Sequence, residues 1–276
     1  MQIDQNTVAV ITGAGSGIGR ALALGLAARR AGLAIADVNR EGLAETAHLL
    51  AGTGVKVSTH IVDVADQEQV AALAGDVVRE HGHASLLINN AGVALIGNFE
   101  EIGVDDMEWL MSINFWGVVY GVRHFLPILR AQPRAHIVNI SSIFGIVGFP
   151  GQTAYCASKF AVRGLSESLR HELEAEGANV QVSVVHPGGI KTNIARAARP
   201  GAQTDLSKHG IVGDFDKLAP TTPEQAAEQI IRGILRNKPR IVVGPDAGMM
   251  DRLQRLLPVR YFSVIKKQVE RQLGRK

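Results

Sequence analysis

A β-branched apolar run, Thr7-Val8-Ala9-Val10-Ile11-Thr12, passes without a break into Gly13-Ala14-Gly15-Ser16-Gly17-Ile18-Gly19, and a helix-forming stretch follows from Arg20 to Arg30. The order is strand, glycine-rich turn, helix. Glycines let a backbone approach a pyrophosphate closely, and a helix N-terminus offers the anion unpaired N–H groups and a positive dipole end. The next apolar run, Leu33-Ala34-Ile35-Ala36, ends in Asp37, 18 residues beyond Gly19. At that spacing a carboxylate accepts hydrogen bonds from adenosine ribose hydroxyls. It would also repel a ribose 2′-phosphate, and neither Ser16 nor Val38 supplies a cation to hold one, so the expected cofactor is NAD rather than NADP. Arg40 is the cation that could swing toward a phosphate, and Asp37 could alternatively serve only as a turn former at a strand end.

The same alternation continues along the chain. Apolar runs at 7–12, 33–36, 57–62, 85–88, 136–140, 181–185 and 240–243 predict seven strands, each separated from the next by a helix-length segment. With 276 residues, 46% hydrophobic and 20% charged, the composition suffices for one well-buried α/β domain. The expected fold is a Rossmann-type, doubly wound, seven-stranded parallel sheet with helices on both faces. Ligands in such sheets bind beyond the carboxyl ends of the strands, where Gly13, Asn90, Ser142 and Pro187 all fall. A single domain is expected over 1–246, followed by an extension over 247–276.

Tyr155 and Lys159 stand four apart, on one face of a helix. A neighbouring ammonium favours the phenolate and lowers the tyrosine pKa from its usual ~10. Such a tyrosine exchanges a proton with an alcohol or ketone. The pair alone is also a common feature of solvated helix faces, and the rest of the chain decides between these readings.

Thr12-Gly13-Ala14-Gly15-Ser16-Gly17-Ile18-Gly19, Asn89-Asn90-Ala91-Gly92, Ser142, Tyr155 through Lys159, and Pro187-Gly188-Gly189-Ile190-Lys191-Thr192 together resemble the classical short-chain dehydrogenase/reductase family, over roughly residues 5 to 240. The resemblance implies that Thr12, Gly13, Gly17 and Gly19, with Gly15, Ser16 and Ile18 in the same turn, bind the cofactor. It implies adenine-side contacts at Asp63 and Val64, adenosine-flanking contacts at Asn90, Ala91 and Gly92, and nicotinamide-side contacts at Pro187, Gly188, Ile190 and Thr192. Thr192 could instead cap a following helix.

The resemblance also implies a catalytic tetrad. Ser142 would hydrogen-bond the reacting oxygen, Tyr155 would take or give the proton, and Lys159 would depress the tyrosine pKa while touching the nicotinamide ribose. Asn114 would hold a proton-relaying water, or else mark a helix irregularity. From the family layout, the pocket candidates are Val93, Leu95, Phe144, Val147, Phe149, Gln152 and Ile194, beside Ile190. Their apolar character points to a lipophilic secondary alcohol or ketone, and a substrate lid is expected at about 190–220. Helices containing Met107 to Arg130 and Tyr155 to Glu174 would pack on their copies in a homodimer or homotetramer. The competing function on the same fold is a non-catalytic dinucleotide-sensing protein.

The nine histidines show no metal-ligand spacing with cysteine, and His81-Gly82-His83 reads as a solvated turn. Cys156 reads as a small buried hydrophobe. A lone cysteine excludes an internal disulfide, the polar start lacks a signal-peptide pattern, and no apolar stretch approaches ~18 residues, so a cytoplasmic protein is expected.

Charge is uneven. Residues 247–276 carry eight basic and two acidic side chains, a net of +6 against +3 for the whole chain, so the preceding 246 residues sum to −3. Met249, Met250, Leu253, Leu256, Leu257, Tyr261, Phe262, Val264 and Ile265 are interleaved with the cations, and Pro258 would break the helix. Three roles compete for this extension: a helix over the substrate cleft or a neighbouring subunit, a membrane-surface contact, or a nucleic-acid contact. The absence of any nucleic-acid motif weighs against the last.

Overall fold

A computed structural model describes residues 1–194, 196–205 and 219–272, the last six of these by backbone alone. Residues 206–218 of the expected lid lie outside the described residues. The first half of the chain runs β1 (Val8–Thr12), α1 (Gly17–Ala27), β2 (Gly32–Asp37), α2 (Arg40–Leu50), β3 (Val57–Ile61), α3 (Gln67–His81), β4 (Leu86–Asn89), β5 (Leu95–Ile96), α4 (Val104–Met111) and α5 (Gly117–Arg130). It continues through β6 (Ala135–Ile140), α6 (Thr153–Ala175), β7 (Val180–Pro187), β8 (Arg199–Pro200), α7 (Pro223–Leu235), β9 (Arg240–Val243), α8 (Pro245–Leu256) and α9 (Tyr261–Gln272).

Seven strands form one sheet in the order β3-β2-β1-β4-β6-β7-β9, and every pairing is parallel. The central strands β1, β4 and β6 are buried at every residue, which is why their sequences read as continuous apolar runs. Edge strand β3 instead alternates buried and exposed positions. One core layer joins Leu22, Leu26, Ile230, Ile231 and Ile234 of α1 and α7 to the sheet, and the other joins Leu73, Val77, Phe125, Leu129 and Val162 of α3, α5 and α6 to its opposite face.

Winding proceeds outward from β1 to β3, then restarts on the other side of β1 with β4. That reversal opens a crevice at the carboxyl ends of β1 and β4, the place where ligands bind in open α/β sheets.

Local chemistry fixes several boundaries. Asp66 accepts the Glu68 and Gln69 amides at 2.8 and 3.2 Å and starts α3. Thr222 and Gln225 form a reciprocal capping box at the start of α7, with bonds of 3.3 and 3.0 Å. The segment from Met107 to Arg130 is not one regular helix: Ser112–Trp116 forms a π-turn between α4 and α5. Pro258 falls between α8 and α9, where its ring and missing N–H end the helix.

A second, two-stranded sheet pairs β5 with β8, which sequence periodicity gave no sign of because each strand is two residues long. It ties the segment after β4 to the segment after β7. Among the described residues no helix is long and apolar enough to cross a membrane.

Candidate active site

The carboxyl ends of the central strands open onto a cleft of about 820 Å3. At its floor Gly13 and Gly17 take left-handed φ values of +67° and +51°. A Cβ on Gly13 would lie 2.7 Å from Ala91 Cα, and one on Gly19 would strike the Gly13 carbonyl oxygen, so glycine is what lets β1, β4 and α1 converge here. Ser16 makes no side-chain bond to the first turn of α1, leaving that helix N-terminus without a capping side chain beside the cleft. This arrangement suits an anion.

The Asp37 carboxylate is fixed by two backbone donors, Gly15 N–H at 2.7 Å and Asn39 N–H at 2.9 Å. A carboxylate has about four acceptor positions, so further hydroxyl donors can still be accommodated. The nearby Arg20 is engaged by Glu45 at 2.7 Å and by Thr46 at 3.0 Å. Thr12 and Asn90 bind the turn together: Thr12 Oγ1 accepts the Asn90 and Ala91 amides at 3.0 and 3.1 Å, and Asn90 Nδ2 donates to the Thr12 and Gly13 carbonyls.

Across the cleft, Ser142 lies two residues beyond β6 and accepts the Phe144 amide on its Oγ at 3.1 Å. Tyr155 and Lys159 lie on α6, with Lys159 Nζ 5.6 Å from the tyrosine ring centroid and donating to the Ile140 carbonyl at 3.2 Å. Burial pushes the Tyr155 phenol up to about 12, opposed by its hydrogen bond to Ser142. Burial also pushes the Lys159 ammonium down to about 8. The lowering of Tyr155 by Lys159 that the resemblance implies is not seen here: burial is the leading cause of both shifts, and what lowers the phenol is its hydrogen bond to Ser142. At neutral pH the phenol is protonated.

Asn114 sits in the π-turn and is fully buried. Its Oδ1 accepts the Val93 amide at 2.8 Å, while its Nδ2 donates to the Val93 carbonyl and to Ser158 Oγ at 3.0 and 3.2 Å. The side chain thus holds the segment after β4 that borders the pocket, and a π-turn breaks the regular i→i−4 pattern around it. Of the two sequence readings of Asn114, the π-turn displays the helix irregularity.

His186 immediately precedes Pro187, and its Nδ1–H donates to the Ser142 carbonyl at 2.9 Å. Burial holds its imidazolium form down to about 4, so the ring is neutral and fixed as the Nδ1–H tautomer by that acceptor. Next in the chain, Gly189 N–H donates to Asp246 Oδ2 at 2.6 Å, and a Cβ on Gly188 would strike the same carboxylate. Thr192 lies against the glycine turn, its Cγ2 3.1 Å from where a Gly17 Cβ would be. Among the described residues no helix starts at Thr192.

Most of the expected site residues line this one cleft: Gly13, Ser16, Gly17, Ile18, Asp37, Asp63, Val64, Asn90, Ala91, Gly92, Val93, Ser142, Phe144, Phe149, Gln152, Tyr155, Lys159, Pro187, Gly188, Ile190, Thr192 and Ile194. Thr12, Gly15, Gly19 and Asn114 stand behind its wall and shape it through the contacts just described. Leu95 and Val147 are corrections. Leu95 belongs to a buried cluster with Leu110, Ala154 and the cleft residue Tyr155, and Val147 to one with Ile143, Ile146, Ala247 and the cleft residue Phe144, so both are core residues one layer behind the lining. His81 likewise is not merely solvated, since its Nε2 bonds Ser58 Oγ at 2.8 Å.

Asp246, Met249, Met250 and Ile265 also line the cleft and carried no motif. They come from α8 and α9, which fold back over the substrate end. Tyr261 Oη accepts the Gly148 amide at 2.9 Å, and Phe262 meets Phe149 edge-on at 6.0 Å. Phe149 in turn contacts Phe144, which meets Tyr155 edge-on at 6.2 Å. A helix over the substrate cleft was one of the roles that the apolar interleaving of the extension offered, and α8 and α9 contribute to the lining there.

Comparisons with known proteins agree with the geometry. The short chain dehydrogenase family profile matches residues 7–203. "Putative oxidoreductase SadH" of Mycobacterium tuberculosis is 45% identical over 262 residues, 95% of this chain and 94% of that protein. Human estradiol 17-beta-dehydrogenase 11 is 31% identical over 264 residues, 95% of this chain and 83% of that protein. The crystal structure of a short chain dehydrogenase/reductase from Burkholderia phymatum in complex with NAD superposes with a TM-score of 0.85 at 33% identity, covering 100% of this chain and 97% of that one.

Proposed function

The chain belongs to the short chain dehydrogenase family, and from that membership we propose that it is an NAD(H)-dependent oxidoreductase interconverting a lipophilic secondary alcohol and its ketone. The observation that carries the reading is the meeting of Ser142, Tyr155 and Lys159 with the Gly13–Gly19 turn on a single cleft. A positive-φ glycine cradle at an uncapped helix N-terminus fits a dinucleotide pyrophosphate. The family relative crystallised with NAD supports the same group.

In this reading the glycine turn holds the pyrophosphate, Asp37 takes the adenosine ribose hydroxyls, and Asp63, Val64 and Asn90 to Gly92 border the adenosine. Pro187 to Thr192 face the nicotinamide. The bound dinucleotide supplies the hydride acceptor or donor. Preference for NAD follows from the Asp37 charge and from the engagement of Arg20 with Glu45, which leaves that guanidinium poorly placed for a 2′-phosphate.

Ser142 Oγ and Tyr155 Oη hold the substrate oxygen. During reduction the protonated phenol gives its proton to that oxygen as the carbonyl becomes an alcohol, and the buried Lys159 cation steadies the phenolate left behind. Oxidation runs the proton in reverse, and the high resting pKa of Tyr155 makes that direction favour alkaline conditions. Asn114 keeps the Val93 segment in place. Phe144, Phe149, Met249 and Met250 give the substrate end an apolar wall.

Exposed Trp116 and Phe160, on the π-turn before α5 and on α6, support burial of these helices between subunits of a homodimer or homotetramer. The lone, buried Cys156 fits a reducing cytoplasm. Steady-state turnover of apolar alcohols by the native protein and its Tyr155→Phe variant tests the proposal. A dinucleotide sensor would bind NAD with either residue and turn nothing over.

A further inference from the structure

The turn joining α8 to α9 presents Arg255-Leu256-Leu257-Pro258-Val259-Arg260, and all six residues are exposed. Leu256 is 79% and Val259 88% exposed. Apolar residues scattered singly over a surface need no explanation, but a contiguous run at a protruding turn does. The segment from 247 onward holds a net charge of +6, while the preceding fold is negative. We propose that this tip docks the protein on an anionic phospholipid surface, with Leu256, Leu257 and Val259 entering the headgroup boundary and Arg252 and Arg260 meeting the phosphates, while Arg255 is paired with Asp251 at 3.1 Å.

Three observations favour lipid over a second copy of the chain. The tip is a few side chains wide, far short of the ~800 Å2 per partner that a stable protein interface needs. A two-fold contact through the tip would also bring the same arginines onto one another. Furthermore, the tip is continuous with the cleft: Met249, Leu253 and Leu256 share one face of α8 at i, i+4 and i+7, and Met249 lines the cavity that holds Tyr155. An apolar substrate would thus have a path from bilayer to active site. That path rests on the dehydrogenase reading, whereas the docking does not.

Flotation of the full chain with phosphatidylcholine vesicles, with and without phosphatidylglycerol, tests the docking. The proposal expects flotation with the anionic vesicles, weakening with added salt, and at least a tenfold loss of partition in both the L256S/V259S and the R252E/R260E double variants. These positions are exposed, so thermal unfolding should match the native protein. Failure of the native chain to float, or undiminished flotation of both variants, would overturn the proposal. So would a drop in oligomeric state of L256S/V259S by light scattering without any loss of flotation, since that would assign the tip to a second copy. Because flotation is read without turnover, its outcome is separate from that of the activity assay.

Discussion

The Asp37 carboxylate at the end of β2 accepts the Gly15 amide of the glycine turn at 2.7 Å. The residue proposed to choose the cofactor and the loop proposed to hold it are therefore one hydrogen-bonded unit. Asp37→Ala removes both the ribose acceptor and the charge that repels a 2′-phosphate. A charged hydrogen bond contributes about 1.5–3 kcal/mol, so the preference for NAD over NADP should shrink by about tenfold or more. The ratio of kcat/KM for the two cofactors measures this; an unchanged ratio would place discrimination elsewhere.

Asp246 should act on the cofactor through the Gly188–Gly189 loop. Asp246→Ala leaves the Gly189 amide without its acceptor and frees the loop, so KM for NAD should rise about tenfold while kcat changes less. Asp246→Asn keeps an acceptor oxygen and should recover most of the loss. Equal KM in Asp246→Ala would mean that the Gly188 amide bond to Val243 at 2.9 Å holds the loop unaided.

Acid and alkaline stability should both bear the mark of buried bases. His136 and His186 are held down to about 3 and about 4, whereas unfolded histidines titrate near ~6.5. The unfolded chain therefore binds more protons between those values, and stability falls as pH drops from about 6.5 toward 4. Lys159 is lowered to about 8 against an unfolded value near ~10.4, so by the same sign its contribution makes stability rise with pH across that window. Denaturant midpoints measured against pH should lose the alkaline rise in Lys159→Met and part of the acid loss in His136→Leu.

Substrate selectivity should depend on α9. Ile265→Trp narrows the cleft where Ile265 meets it, and pocket methylenes discriminate at about 1–3 kcal/mol each. The ratio of kcat/KM for a bulky apolar alcohol to that for a small one should fall at least tenfold. An unaltered ratio would remove α9 from the substrate wall.

The fold and the glycine turn were legible because their signals are local. Seven apolar runs and seven parallel strands correspond because a sheet buried on both faces demands unbroken apolar sequence. The short β5–β8 pairing, by contrast, rests on contacts between segments roughly a hundred residues apart and has no periodicity to read. That Leu95 and Val147 pack one layer behind the lining was not legible, because apolar character does not tell core from cavity wall. Asp246 carried no motif, since its role is a single contact to a backbone amide. The opposite shifts of Tyr155 and Lys159 follow from burial, which a spacing of four residues does not reveal.

The most direct test of the proposed dehydrogenase is NADH formation, followed by the absorbance of the reduced nicotinamide, from a panel of apolar secondary alcohols by the native protein and Tyr155→Phe, with NAD binding measured alongside. Native turnover on at least one alcohol is expected, with a loss of at least ~10²-fold in the variant and unaltered NAD affinity, because the ring and its packing remain while the proton-transfer group is gone. A Tyr155→Phe protein as active as the native one would contradict the account.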